Sequence, residues 1–271
     1  MKIFFFCYRS WAINAVENIV STHRHLDYKI VTIKNLRIKI SKKHKNKTIK
    51  INPINYLQLN KIFKNSDTNI CFLIGWSWII KTDISNNVDF YCLHPSDLPK
   101  FRGGSPIQHQ LLHNVKKTKM TLFKVNRFID GGKIYKKAPI KLDNSMNYIF
   151  NQMTNSSVIL INKFINDLYK NKIKLYRQNL TNSKIYKRIK EKESFINYNS
   201  LKKMKYLYLY NLILSLEKPY PNLKILYHKN TYRISTTSQI SKTRKIGFEK
   251  TILIDKEIYI KFEKYEKIKP K

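Results

Sequence analysis

Glycine is scarce in this chain of 271 residues: there are six, and only three alanines, Ala12, Ala15 and Ala138. Carboxylates are scarce as well, 17 against 53 lysines and arginines, which leaves a formal charge of +36. Three cysteines, Cys7, Cys71 and Cys92, lie in or beside apolar runs without metal-ligand spacing, so a disulfide framework and a cysteine-rich metal site are excluded. A reducing, cytoplasmic setting is the expectation. No apolar run approaches the roughly 18 residues that would suggest a membrane-spanning helix, and no membrane partner is expected. The opening MKIFFFCYRS meets Arg9 directly with no small-residue cleavage site behind it, which reads as a first strand and not a signal peptide.

The positive charge has two readings. A polyanion partner is one. The other is compositional: lysine, isoleucine, asparagine and tyrosine are all abundant and the lysines are spread over the whole length, as A/T-rich codon usage would produce. The second carries more weight. Against that background the exceptions are informative. Five of the six glycines (Gly75, Gly103, Gly104, Gly131, Gly132) fall within residues 75–132, and Pro95, Pro99 and Pro106 lie close together. A glycine-poor chain keeps glycine where backbone geometry needs it. Between Leu98 and Leu142 the only carboxylate is Asp130.

The length suits one large α/β domain with a smaller C-terminal piece. Residues 2–8 read as a continuous apolar strand, Ser10 as the cap of a helix to about Val20, and Tyr28–Ile33 as a second strand, a βαβ opening. The polar stretch Lys42–Lys50 follows, then a helix around Tyr56–Phe63 and buried strands at Ile70–Ile74 and Val88–Leu93. Pro106 starts a helix to about His113, and Met120–Val125 resumes strand character. Alternating strands and helices imply a Rossmann-like, mostly parallel sheet covered on both faces. Asn144 or Ser145 caps a long helix presenting Met146, Ile149, Phe150 and Met153 on one face. Gln178–Lys192 reads as a linker. After Pro221 short strands at Lys224–Tyr227, Tyr232–Ile234, Thr251–Leu253 and Ile258–Ile260 suggest a small C-terminal β-rich subdomain, dividing the chain at 1–178 and 179–271.

The densest chemistry lies in Tyr91-Cys-Leu-His-Pro-Ser-Asp-Leu-Pro-Lys-Phe-Arg-Gly-Gly-Ser-Pro106: a buried strand ending in His94, a loop rich in proline and glycine, then a helix. Open α/β sheets bind ligands at the carboxyl ends of their strands. A second loop, Ile129-Asp-Gly-Gly-Lys133, would bring Asp130 to the same edge. A neutral histidine beside a carboxylate accepts the proton of an amine attacking an acyl carbon, while the carboxylate fixes the tautomer and favours the imidazolium. Taken singly, a histidine after a strand is more often structural and an Asp-Gly-Gly is a turn. Their order together points to acyl transfer. His109 and His113, four apart on a helix, have no acidic or cysteine companions, so no metal is expected there.

His94-Pro-Ser-Asp-Leu-Pro-Lys-Phe-Arg-Gly-Gly-Ser-Pro-Ile107, followed by Thr121-Leu-Phe-Lys124 and Ile129-Asp-Gly-Gly-Lys-Ile134, resembles the hallmark of the 10-formyltetrahydrofolate-dependent formyltransferases. That family includes methionyl-tRNA formyltransferase, glycinamide ribonucleotide formyltransferase and nucleotide-amino-sugar N-formyltransferases. The resemblance covers nearly the whole chain and is highly specific over 71–134. It implies the formyltransferase N-terminal fold with an OB-like C-terminal part, 10-formyltetrahydrofolate as co-substrate, no metal, and His94 and Asp130 as catalytic residues. Cys92 stands where the family has an asparagine whose amide serves the oxyanion, and a thiol is a weaker donor. A tolerated variant, an inactive relative and a reactive thiol are its three readings. The folate side would comprise Gly75, Trp76, Trp78, Ile79, Arg102, Gly103 and Asp130; the acceptor side Ser96, Lys100, Arg102 and Gln108. Either tryptophan taken separately is as readily core.

Tyr186–Ile196 and Lys218–Asn222 resemble the C-terminal part of bacterial sugar formyltransferases, and the same layout occurs in methionyl-tRNA formyltransferase. Gly-Trp-Ser-Trp (75–78) and Cys-Leu-His-Pro-Ser (92–96) look closer to homologues of surface-polysaccharide pathways. The resemblance therefore implies a nucleotide-linked amino sugar as partner, with tRNA second and a non-catalytic folate binder third. It is compatible with a homodimer.

Overall fold

The computed structural model describes residues 2–35, 40–52, 63, 69–80, 88–227, 230–253 and 255–264. These form two compact units, one of 1–103, 117–141 and 150–185, the other of 104–116, 142–149 and 186–271.

The first unit is built on a seven-stranded sheet. Its strands are β1 (Lys2–Cys7), β2 (Tyr28–Ile33), β3 (Thr48–Ile51), β4 (Asn69–Ile74), β5 (Val88–His94), β7 (Lys117–Lys124) and β8 (Ile134–Lys141), with β6 the two-residue strand Arg102–Gly103 outside it. Their order is β3-β2-β1-β4-β5-β7-β8. The first five run parallel, whereas β7 and β8 turn antiparallel. The sheet is thus mostly parallel, as its apolar runs imply: Ile3 to Cys7 are all buried, which requires cover on both faces. On one face Phe4, Phe6, Cys71, Leu73 and Phe90 share a core with Phe63. On the other, Phe164 of the helix Met146–Tyr169 packs edge-on against Phe72, Tyr91 and Tyr135 at 4.5 to 5.3 Å between ring centres.

The structure corrects or completes the sequence reading at four points. Ser10 is the first helical residue of Ser10–Thr22 and forms no cap; Arg9 precedes it without a side-chain capping bond. The polar Lys42–Lys50 stretch contains most of β3, an edge strand in which only Ile51 is buried, so its apolar signal is too weak to read. β8 escaped notice because Pro139 interrupts it; it is the opposite edge strand, where proline is tolerated. Ser145, not Asn144, caps the long helix, accepting from Tyr148 N at 3.2 Å. The helix expected at Tyr56–Phe63 lies outside the described residues apart from Phe63.

In the second unit, a four-stranded sheet (Phe195–Asn197, Leu223–Tyr227, Asn230–Ile234, Glu263–Lys264) and a three-stranded one (Ile240–Ser241, Glu257–Ile260, Glu249–Ile252) are present. With the helix Tyr206–Ser215 they enclose a core that includes Leu209, Ile213, Leu223, Ile225, Ile258 and Ile260. The β-rich C-terminal part is therefore present, and the expected linker holds the short strand Ile185–Tyr186. Among the described residues no helix is long and apolar enough to cross a membrane.

Candidate active site

His94 is the last residue of β5 and lies two positions after Cys92, so both side chains leave the same face of the sheet. The imidazole is buried, 6% exposed. Its Nε2 lies 2.9 Å from the carbonyl oxygen of Phe101 and its Nδ1 3.5 Å from Asp130 Oδ2. A carbonyl can only accept, so the hydrogen-bond network assigns the proton of the neutral ring to Nε2. The tautomer is thus set by Phe101 and not, as expected, by the carboxylate. Nδ1 keeps the lone pair. Protonating it yields an imidazolium whose two N–H groups both meet oxygen acceptors.

Asp130 is held as carefully. Its Oδ2 accepts from Gly103 N at 2.8 Å, and its backbone takes the left-handed conformation, φ 46°. Gly103 (φ 97°), Phe101 (φ 54°) and Ser105 (φ 50°) also lie at positive φ. Such a cluster of unfavourable backbone persists only where surrounding bonds over-determine it, and it commonly marks a functional site. Gly132 is dictated by space: a Cβ there would lie 1.7 Å from Lys124 O.

Arg102 is buried, and its guanidinium donates from Nε to Ile129 O at 2.8 Å and from Nη1 to Ser183 Oγ at 2.7 Å. This geometry makes Arg102 an organiser of the loop. Ser96 is fully buried and donates to Lys100 O at 2.7 Å, while its own carbonyl accepts from Thr121. Lys100 is exposed. The same loop is anchored through Asp97, which pairs with Lys137 at 2.5 Å and Lys119 at 3.3 Å. Partial burial raises the Asp97 carboxyl, but these two ammonium groups outweigh it and hold it below the usual carboxylate range. Gln108 is buried and belongs to the second unit.

Burial, with a smaller contribution from the Asp130 charge, pushes the Cys92 thiol well above its ordinary range. That keeps it an S–H group at neutral pH and argues against the reactive-thiolate reading.

At the carboxyl ends of β1 and β4, Tyr8, Trp76 and Trp78 form an aromatic group with ring centres 4.9 to 6.1 Å apart. Tyr8 OH lies 2.6 Å from Ser77 Oγ. Gly75 (φ 60°) makes the turn, and a Cβ there would strike the Trp11 ring at 2.8 Å. Trp76 Nε1 is buried without a hydrogen-bond partner, whereas Ile79 is 73% exposed. Sequence reasoning missed Tyr8, Phe101 as a backbone acceptor, Ser183 and Gln178; none carries a local signal. His109 contacts Lys187 O at 2.8 Å and the Tyr186 ring, and His113 Nδ1 donates to His109 O at 2.7 Å. No group of three or more metal-ligating side chains occurs among the described residues.

Fold and site together define an α/β protein with a histidine–aspartate pair at the carboxyl edge of a mostly parallel sheet. Residues 44–160 match the family model described as formyl transferase. The chain is 30% identical over 155 residues to the methionyl-tRNA formyltransferase of Mycoplasma mycoides, covering 56% of this chain and 47% of that one. The chain spans about half the length of the curated relatives it matches first. Among solved structures it is similar to methionyl-tRNA formyltransferase from Clostridium thermocellum (TM-score 0.65, 24% identity, 98% of this chain and 100% of that one). An N-formyltransferase from Helicobacter canadensis in complex with folinic acid and dTDP-3-aminofucose has a TM-score of 0.72 at 18% identity, over 98% and 100% of the two chains.

Proposed function

We propose that this protein is an N-formyltransferase that moves a formyl group from 10-formyltetrahydrofolate to the amine of a nucleotide-linked amino sugar. The observation that carries the reading is the His94–Asp130 pair at 3.5 Å, with Gly103 N fixing the carboxylate. The chain's own part is acid–base work. His94, with its proton on Nε2, receives the proton of the attacking amine on Nδ1, and Asp130 stabilises the resulting imidazolium. Cys92 offers one weak S–H donor to the developing oxyanion. The folate, when bound, supplies the activated formyl group; Gly75, Trp76, Trp78 and Ile79 would hold its ring system, and the unpartnered Trp76 Nε1 fits a heteroaromatic acceptor. Lys100 and Gln108 are assigned to the acceptor side, and Arg102 and Ser96 to holding the loop between the two. The catalytic part is assigned to residues 1–178 and an OB-like part to 179–271.

The sugar is preferred as acceptor because a neighbour of the same fold was solved with a dTDP-amino sugar over its full length. Methionyl-tRNA is the second reading, favoured by the name and 30% identity of the Mycoplasma relative. Tetrahydrofolate release from 10-formyltetrahydrofolate, measured with dTDP-linked 3-amino and 4-amino sugars beside methionylated initiator tRNA, decides between them. Turnover with tRNA alone would replace the first reading with the second. Folate binding without release from any acceptor would leave a non-catalytic binder.

A further inference from the structure

The loop that carries Asp130 is held from outside itself by two side chains, Gln178 and Arg102. Gln178, 48 residues further along and beyond the end of the long helix, donates from Nε2 to Asp130 O at 3.0 Å and to Gly132 O at 2.7 Å. These two carbonyls bracket Gly131, so a single planar amide spans the turn. On the near side of the turn Arg102 Nε holds Ile129 O at 2.8 Å. Three successive anchor points thus fall on residues 129, 130 and 132, all made by side-chain donors on buried or half-buried residues.

What they oppose is visible at Asp130, whose φ of 46° is one an L-residue rarely adopts. Released, that backbone would relax toward negative φ. Because the Cα–Cβ direction follows the backbone dihedrals, the carboxylate would swing away from Gly103 N and from His94. Gln178 Oε1 is buried with no hydrogen-bond partner. Its amide is therefore held in place by the donor side alone, as a group kept for what it donates.

We infer that Gln178 is a positioning residue: through the carbonyls of Asp130 and Gly132 it holds the carboxylate on His94 without touching the reacting atoms. This rests on the proposed role of the His94–Asp130 pair in formyl transfer. Gln178→Met retains length and burial and removes the donor. Turnover should fall about 10- to 100-fold with KM for the formyl donor unchanged, as expected for loosened alignment. The melting temperature should stay close to that of the wild type. Unchanged turnover in Gln178→Met overturns the inference.

A readout independent of turnover separates this inference from the reading it rests on. The ring ¹⁵N resonances of His94, recorded at one fixed pH, should move in Gln178→Met and not on adding Gln178→Met to Asp130→Ala. If wild-type protein transfers no formyl group yet these resonances move, the function is wrong and the positioning stands. Identical His94 resonances in wild type and Gln178→Met sink the positioning whatever the activity.

Discussion

Gly132→Ala is the sharpest single probe of how the Asp130 loop is built. The new Cβ would lie 1.7 Å from Lys124 O, 2.9 Å from Lys124 C and 3.3 Å from Phe123 Cδ2. A close C···O contact needs about 3.3 Å, so the backbone must yield by roughly 1.5 Å. Neither side is free to yield. Lys124 N accepts the register by donating to Lys133 O at 2.8 Å, and Gly132 O receives Gln178 at 2.7 Å. Overpacking costs about 1–3 kcal/mol, and a hydrogen bond lost in the adjustment costs about 1 kcal/mol more. At about 2–4 °C per kcal/mol for a chain of this size, thermal unfolding should fall by roughly 4–16 °C. Asp130, two residues away, moves with the loop, and a displacement near 1 Å can cost about 100-fold in rate. Circular dichroism melts and tetrahydrofolate release measure both. Gly247→Ala is the control: its φ is +76° but nothing lies within 4 Å of the new Cβ, so only the left-handed penalty of about 1–2 kcal/mol applies. A Gly132→Ala protein that melts and turns over like wild type would refute the packing argument.

Three further outcomes are expected. His94→Ala and Asp130→Ala each abolish formyl transfer while the circular dichroism spectrum remains that of the folded protein; normal turnover in either removes the acid–base assignment. Cys92→Asn keeps or raises turnover, since an amide is a better oxyanion donor than a thiol held protonated, and iodoacetamide at pH 8 leaves Cys92 unmodified in the native protein; rapid labelling there would restore the reactive-thiol reading. Burial first, and Glu17 second, push the Cys7 thiol up from 9.0 to about 12. The native state therefore holds this proton where the unfolded chain releases it, so the associated stability is complete below about pH 9 and is lost as pH rises toward 12, at up to about 1.4 kcal/mol per pH unit. Denaturation midpoints between pH 8 and 11 should fall less in Cys7→Ser than in wild type, and equal slopes would contradict it.

Much of this molecule was legible without coordinates, because the signals are local. Apolar runs of five or six residues state that β1, β2, β4 and β5 are buried on both faces, and turn chemistry states where they end. His94 and Asp130 stood out because a glycine-poor chain concentrates its glycines around them and Asp130 is the only carboxylate between Leu98 and Leu142. β3 and β8 were not legible: edge strands bury one face or less, so a single buried isoleucine or a proline-broken alternation is all the sequence shows.

The tertiary structure decided what depends on residues distant in the chain. That Phe101 O, and not Asp130, sets the His94 tautomer follows from how the loop after β5 folds back on the strand. That Arg102 spends its donors on Ile129 and Ser183, and Gln178 its amide on the Asp130 turn, requires segments 27 to 81 residues apart to meet. Composition and spacing fix which side chains are available for acid–base chemistry; only long-range packing fixes which atom of each is left to perform it, since hydrogen-bond direction is set by the partner and the partner lies elsewhere in the chain.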